Sequence, residues 1–348
     1  MLRVGIIGVG GIAKVHIEQL QKCDNAKITA ICDTDEVKLN EVGGKLQIPE
    51  EYRFADYKDL IACDVVDAVE ICTPNYLHID MACDAIESGK AVEVEKPLDI
   101  DSAKVDKLRS LLSKKPVFNM MCFSYRFFPA VRYAKHILEQ GMLGDIVNVN
   151  IEYLKDSAFM KGRRLEWRFE KKYAGSGVLG DLGVHLIDMT RFLLGDFKSV
   201  YAMKRIVIDK RKKLNDEEYG NVETDDLTSF IAELDKDVVA NFIVTRCAIG
   251  NNNTIKYEIY GTKGVIAFNL NDPEELSVCI GEIDAECGCL HTVKVPNAYF
   301  PSSQEQSFVD AVLGKEQKYL PSIEDGIATQ KIVDAISHSS EIKQKVVL

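Results

Sequence analysis

The sequence predicts an α/β protein of two domains: a doubly wound parallel sheet over residues 1–122, then an α+β domain over 123–348 with a large, mostly antiparallel sheet. Three observations predict it. Through residue 121, short Val/Ile-rich runs alternate with helix-length amphipathic segments, the pattern of βαβ units. A glycine-rich turn follows the first of those runs. Beyond Gly141 the alternation stops, and strand-like runs succeed one another with few helices between them.

Taken in order, strands are expected at 2–8, 26–33, 53–55, 67–72, 90–94 and 117–121, with helices near 11–22, 35–46, 76–88 and 99–114. One more helix, about 129–140, ends at Gly141. VNVNIEYL, SVYAMKRIVI, DLTSFIAEL, VVANFIVTR, TIKYEIYG and GVIAFNL then read as strands of the second sheet. Helices interrupt or close this part at about 177–194, 303–314 and 322–340, the last expected to pack back on the first domain. The charged stretch DKRKKLNDEE at 209–218 reads as a solvated loop.

Composition narrows the function classes. With 46% hydrophobic and 28% charged residues in 348, the chain is ordinary globular protein, which excludes disorder and fibrous repeats. A formal charge of −11 has the wrong sign for holding nucleic acid or anionic lipid through phosphates. Ten scattered cysteines, several inside apolar runs such as AVEICTP, suit a reducing cytosol. The opening MLRVGIIGVGGIA is too short and too glycine-rich for a signal peptide, and no run reaches the roughly 18–20 apolar residues of a membrane span. The expectation is a cytoplasmic protein whose partners are neither nucleic acid nor membrane.

The first chemical motif is Gly8-Val9-Gly10-Gly11-Ile12-Ala13, between a Val/Ile strand and a helix. Glycines there permit a tight turn and let backbone N–H groups approach a pyrophosphate at the positive end of the helix. Asp33 falls at the end of the next strand, 20 residues after Ala13, where a carboxylate accepts from a ribose 2′-OH and repels a 2′-phosphate. With no Arg in CDTDEV, NAD is expected in preference to NADP; Asp33 as a helix N-cap is the alternative. Thr73, Asn75 and His78 follow one strand and Glu95-Lys96-Pro97 the next, so both loops are expected to line the cofactor crevice, with Lys96 at the reaction centre. The plainer alternatives are a solvated Lys96 paired with Glu93 or Glu95, and Asn75 as a helix cap.

On the 177–194 helix, Asp181, His185 and Asp188 are spaced i, i+4, i+7 and are expected on one face, a carboxylate one turn from an imidazole being able to orient it for proton transfer. One His with acids is thin support for zinc, and Cys287 and Cys289 near His291 read as free thiols, so no metal is expected. Trp167, the only tryptophan, stands beside Arg163, Arg164 and Arg168, an aromatic face next to cations able to bind a polar substrate; the plainer alternative is three surface charges in a loop. Tyr153 is a further substrate-side candidate.

GVGGIA, TPNYLH, EKP, the Tyr125-Arg126-Phe127 segment, Trp167-Arg168 and GDLGVHLID together resemble the Gfo/Idh/MocA family, named for glucose–fructose oxidoreductase, inositol dehydrogenase and a rhizopine catabolism protein. The resemblance covers most of the chain up to about residue 200. It implies an N-terminal Rossmann domain, an open-faced C-terminal sheet that builds homodimers or homotetramers, and NAD(P)-dependent oxidation or reduction of a sugar or cyclitol. It also implies that Lys96, Asp181 and His185 are the catalytic group and that Arg126, Trp167 and Arg168 lie near the nicotinamide. Two other readings share the fold: an enzyme that retains NAD and uses transient oxidation to cleave glycosides, and a non-enzymatic NAD- or sugar-sensing regulator.

Overall fold

The computed structural model describes residues 1–100 and 102–348, which form two compact units. Met1–Phe123 and Ser302–Ala328 make the first; Ser124–Pro301 and Thr329–Leu348 make the second. The chain therefore returns to its first unit near the end, a discontinuity that a single division at 122/123 does not contain.

In the first unit the elements run β1 (Leu2–Ile7), α1 (Ala13–Leu20), β2 (Ala26–Cys32), α2 (Glu36–Lys45), β3 (Arg53–Phe54), α3 (Tyr57–Ala62), β4 (Ala68–Ile71), α4 (His78–Glu87), β5 (Ala91–Val94), α5 (Val105–Lys114) and β6 (Asn119–Met121). The strands pair in parallel in the order β3-β2-β1-β4-β5-β6. Their near-continuous apolar sequence follows from helices covering both faces of such a sheet. The order reverses beside β1, and there the loops after β1 and β4 diverge to leave a crevice. Helix starts are set locally: the Asp35 carboxylate accepts from Lys38 N at 3.1 Å and that of Asp56 from Lys58 N at 2.9 Å. The expected helix from 99 includes Asp101, outside the described residues; its observed helical part begins with a 3₁₀ turn at Ser102–Lys104.

The second unit continues with α6 (Pro129–Glu139), β7 (Ile146–Leu154), α7 (Lys171–Ala174), α8 (Val184–Leu194), β8 (Phe197–Arg205), β9 (Lys210–Lys212), β10 (Tyr219–Asn221), β11 (Leu227–Leu234), β12 (Val239–Thr245), β13 (Thr254–Gly261), β14 (Gly264–Asn269), β15 (Glu275–Ile280), α9 (Glu282–Cys287) and β16 (His291–Lys294). After α10 (Gln304–Val312), which belongs to the first unit, α11 (Ile323–Ile342) spans the division at 328/329, and β17 (Val346–Val347) closes the chain. Among the described residues nine strands form one sheet, β16-β15-β14-β13-β7-β12-β11-β8-β17, antiparallel except where β7 meets β12. β15 and β16, which the sequence pattern did not single out, are short and only partly buried. The stretch at 209–218 is a β9–β10 hairpin edge rather than a plain loop.

The large sheet is two-faced. Phe230, Ala202 and Phe242 lie in register on its buried side, and Phe230 stacks on Phe242 with ring centroids 4.2 Å apart. The next residues along, Tyr201, Ile231, Met203 and Ile243, emerge on the opposite side, all exposed. All ten cysteines are free thiols; Cys32, Cys72, Cys83 and Cys122 are buried and Cys287 is exposed.

Candidate active site

The turn after β1 is built for an anion. Gly8 has φ +88°, and a Cβ there would stand 2.9 Å from the Cys72 carbonyl oxygen, so the β1 turn crosses the end of β4 at a distance that excludes a side chain. At Gly10 and Gly11 an added Cβ would meet no described atom within 4 Å, so open space lies above the turn. Helix α1 starts after Ile12 with no side-chain cap and no acid in its first turn. Its N–H groups and dipole are thus available to a phosphate. Asp33 secures this turn: its Oδ2 accepts from Val9 N and its Oδ1 from Asp35 N, each at 2.9 Å. Asp35, not Asp33, caps α2. Each Asp33 oxygen keeps acceptor capacity for a ribose hydroxyl. These residues fit a dinucleotide.

The β4 and β5 loops are clamped together. His78 is fully buried, with Nδ1 2.8 Å from the Pro97 carbonyl and Nε2 2.9 Å from that of Thr73. It ties one loop to the other through both ring nitrogens. Asn75 is the first residue of a 3₁₀ turn whose cap position is Pro74, so the cap reading of Asn75 does not hold. Lys96 is half-buried at the end of β5. Glu95 turns inward: Oε1 meets His16 Nε2 at 3.0 Å and Oε2 accepts the Lys96 amide at 2.9 Å. Glu93 is wholly buried, so it is not the solvated partner considered for Lys96. His16, Glu70 and Cys72, and likewise His16, Glu95 and Cys122, bring ligand-type atoms within 4.8 Å of one another, a cluster missing from the sequence expectations.

In the second unit the segment before α8 departs from the expected continuous helix. Leu179–Gly183 make a π-type turn, so Asp181 and His185 do not stand on one continuous α-helix. Asp225 fixes its start: its carboxylate accepts from Gly177 N at 2.8 Å, Leu179 N at 3.0 Å and the Thr228 hydroxyl at 2.8 Å. Burial opposes the charge on Asp225, but Lys204 and these donors prevail and hold its carboxyl below the usual range.

His185 is buried on α8, its ring centroid 4.5 Å from that of Tyr125. The Tyr125 hydroxyl bonds that of Tyr153 at 2.8 Å, and Tyr153 donates to Asn253 Oδ1 at 3.1 Å. Burial, then Tyr125 and the charge of Asp181, push the Tyr153 hydroxyl far above its ordinary value, so it stays a neutral donor. Asp188 parts from Asp181: its two oxygens receive Nε and Nη2 of Arg126 at 2.8 and 2.5 Å, with Arg126 also over the Phe192 ring. Arg126, expected near the nicotinamide, is buried in a pair with Asp188.

Asp181 lines a cavity of about 450 Å³ with Lys155, Ser157, Lys161, Arg163, Glu166, Arg168 and Arg246. Arg168 stacks on Trp167 at 4.5 Å. Arg164, expected at the substrate, instead bonds the β9–β10 hairpin through the Lys213 and Asp216 carbonyls and Glu217. Arg163 takes the cavity position, half-buried against Phe169 and 3.5 Å from Glu166. Cys287, Cys289 and His291 do not form a ligand cluster among the described residues.

Comparison with known proteins agrees with both units. Residues 2–123 match the profile of an oxidoreductase family with an NAD-binding Rossmann fold, and 131–267 that of the GFO/IDH/MocA C-terminal domain. The chain is 32% identical over 310 residues to levoglucosan dehydrogenase of Pseudarthrobacter phenanthrenivorans, covering 84% of this chain and 80% of that protein. It is 26% identical to inositol 2-dehydrogenase of Rhizobium meliloti, over 99% and 98% of the two chains. A solved levoglucosan dehydrogenase in complex with NADH and L-sorbose superposes with a TM-score of 0.90 at 30% identity, over 99% of this chain and 98% of that one. A glycine turn over an uncapped helix, an acid closing the next strand, and these matches along both units agree: the chain belongs to the Gfo/Idh/MocA family of oxidoreductases.

Proposed function

We propose that this protein is an NAD-dependent dehydrogenase for a secondary alcohol of a sugar or cyclitol, with Lys96, Asp181 and His185 as its catalytic residues. The observation that carries the reading is the uncapped N-terminus of α1 beneath an open glycine turn that Asp33 ties down. When bound there, the nicotinamide cofactor supplies the hydride acceptor. Backbone N–H groups of Gly10, Gly11 and Ile12 would hold its pyrophosphate, and Asp33 its ribose. The Asp33 carboxylate favours NAD over NADP, since a 2′-phosphate beside it is repelled.

Lys96 presents an ammonium at the strand end where reacting groups gather in this sheet type, and it donates to the substrate hydroxyl. His185 accepts the alcohol proton as neutral imidazole, and Asp181, at the π-type turn, orients and tunes it. Trp167 offers an apolar face to a polyol, and the hydrogen-bonded row Tyr125–Tyr153–Asn253 stands beside His185. The free thiols suit a cytoplasmic location, and the exposed Tyr201, Met203, Ile231 and Ile243 suit a second copy of the chain as partner.

The test is a screen for NADH formation with inositols, free hexoses, anhydrosugars, sugar acids and glycosides. Steady NADH production with one class is the expected result. Glycoside cleavage without net NADH, or binding with no turnover of any alcohol, would overturn the assignment.

A further inference from the structure

The first unit buries more acid than its sheet requires. Central parallel strands are ordinarily apolar throughout, yet β4 and β5 carry Glu70 and Glu93 in direct register, 1% and 0% exposed. Cys72 and Glu95 follow two residues further along the same face. Cys122, whose amide bonds the Val94 carbonyl, joins them after β6. Helix α1 sets His16 on this layer and α10 sets Glu305 beside it, 3% and 5% exposed.

His16 Nδ1 lies 3.5 Å from both Glu70 Oε2 and Glu305 Oε1 while its Nε2 meets Glu95. The groups facing it are therefore Glu70 and Cys72 from β4, Glu93 and Glu95 from β5 and its loop, Cys122, and Glu305 from α10, with Cys23 behind Glu305. Four carboxylates around one imidazolium would leave −3 in a desolvated layer, so carboxyl protons are retained there. The carboxyl oxygens of Glu70 and Glu93 have no well-formed hydrogen bond among the described residues. A purely structural pair would not leave such groups in excess.

Glu95 connects this layer to the reaction loop, because the carboxylate that meets His16 also accepts the Lys96 amide. His78 holds the next carbonyl, that of Pro97, from the other side. We propose that His16 and Glu95 are positioning residues for Lys96, their pair enclosed by the buried carboxyl groups of Glu70, Glu93 and Glu305. The proposal rests on the assignment of Lys96 to the reaction.

Burial works against a charged His16, but the Glu95 bond and the charges of Glu70, Glu95 and Glu93 outweigh it and push the imidazole up to about 10. Burial and the same acids drive the Cys72 and Cys122 thiols well above their usual range, which keeps their S–H protons in place. A charged Glu95 is a stronger acceptor for the Lys96 amide than a neutral one.

The full chain is tested as wild type, His16→Leu, His16→Gln, Glu95→Gln and Glu95→Leu, with folding followed by circular dichroism. Trace acetylation with acetic anhydride between pH 6 and 11, read by mass spectrometry of the Lys96 peptide, reports the state of that amine without any substrate. NADH binding is measured by fluorescence, and kcat with levoglucosan or the best compound of the screen. The expected result is a shifted Lys96 labelling profile in His16→Leu and a kcat loss on the order of 10²-fold, as misplacement of a reacting group produces. NADH affinity should stay within about threefold, where a tenfold change would mean about 1.4 kcal/mol. Glu95→Gln, which keeps an oxygen for the Lys96 amide, should recover part of what Glu95→Leu loses. If His16→Leu does not fold, His16→Gln carries the comparison. A folded His16 variant with wild-type labelling and kcat, or a stoichiometric transition metal in the purified protein, would overturn the proposal. Wild-type protein inactive on every alcohol would refute the dehydrogenase assignment, while the labelling profile would still decide the positioning.

Discussion

Asp33 is the side chain on which the proposed preference for NAD rests. Asp33→Ser with Thr34→Arg removes the repulsion and offers a phosphate partner, so the NADP/NAD affinity ratio should rise by at least about tenfold, or 1.4 kcal/mol, in a fluorescence titration. Wild-type protein that binds both equally would show that Asp33 serves only the Val9 turn. His185→Ala should reduce kcat/KM on the order of 10²–10⁴-fold and flatten its rise with pH, because alcohol oxidation needs the neutral imidazole. If rate and acid limb both survive, the proton leaves by another group.

The buried acids predict the pH dependence of stability. Burial raises Glu70, Glu93 and Glu305, and the Glu95 bond and neighbouring acids raise His16 to about 10 against burial. Groups with raised values bind protons more tightly when folded, so their stabilisation is complete below their ordinary values and is lost as pH climbs. The unfolding free energy should fall from about pH 5 to 10, by up to about 1.4 kcal/mol per pH unit for each group in its window. Glu93→Gln should flatten that slope in denaturant titrations; an unchanged slope would place the protons elsewhere. Gly8 and Asp33 were legible in the sequence because their chemistry depends on neighbours a fixed number of residues away. The partners that Arg126, Glu95 and Arg164 meet, Asp188, His16 and Glu217, lie 62, 79 and 53 residues off, where spacing carries no information.

Strands and helices with one strong period were read correctly from the sequence, since burial of one face imposes that period. The turn carrying Asp181 was not. A π-type turn inserts its extra residue where Asp225 draws in two amides, and Asp225 is distant in sequence. That cradle also fixes a glycine: a Cβ on Gly177 would sit 1.9 Å from the Asp225 carbonyl oxygen. Gly177→Ala must therefore displace the turn. It should destabilise the protein by about 1–3 kcal/mol, as overpacking does, and lower kcat through Asp181. A variant of wild-type stability and rate would mean that the turn's geometry has no bearing on the reaction.

The acids and cations of the whole molecule are mixed, but the outer side of the nine-stranded sheet gathers Tyr201, Met203, Ile231 and Ile243 in adjoining rows. An exposed apolar patch of this kind suits the second copy of the chain proposed as partner. Met203→Glu with Ile231→Glu should lower the mass measured by light scattering to that of one chain and leave circular dichroism unchanged. A wild type already of 38.9 kDa in solution would remove this face from any assembly role.

The distribution of thiols turns the protein into its own unfolding reporter. Cys32, Cys72, Cys83 and Cys122 lie inside the first unit, their thiols held in the protonated form chiefly by burial, whereas Cys287 is exposed. An aromatic disulfide reagent should therefore find Cys287 quickly in the native state and the four buried thiols of the first unit only as that unit opens. The slow phase of that reaction times the opening of the nucleotide-binding unit, and saturating NAD should lengthen it by mass action.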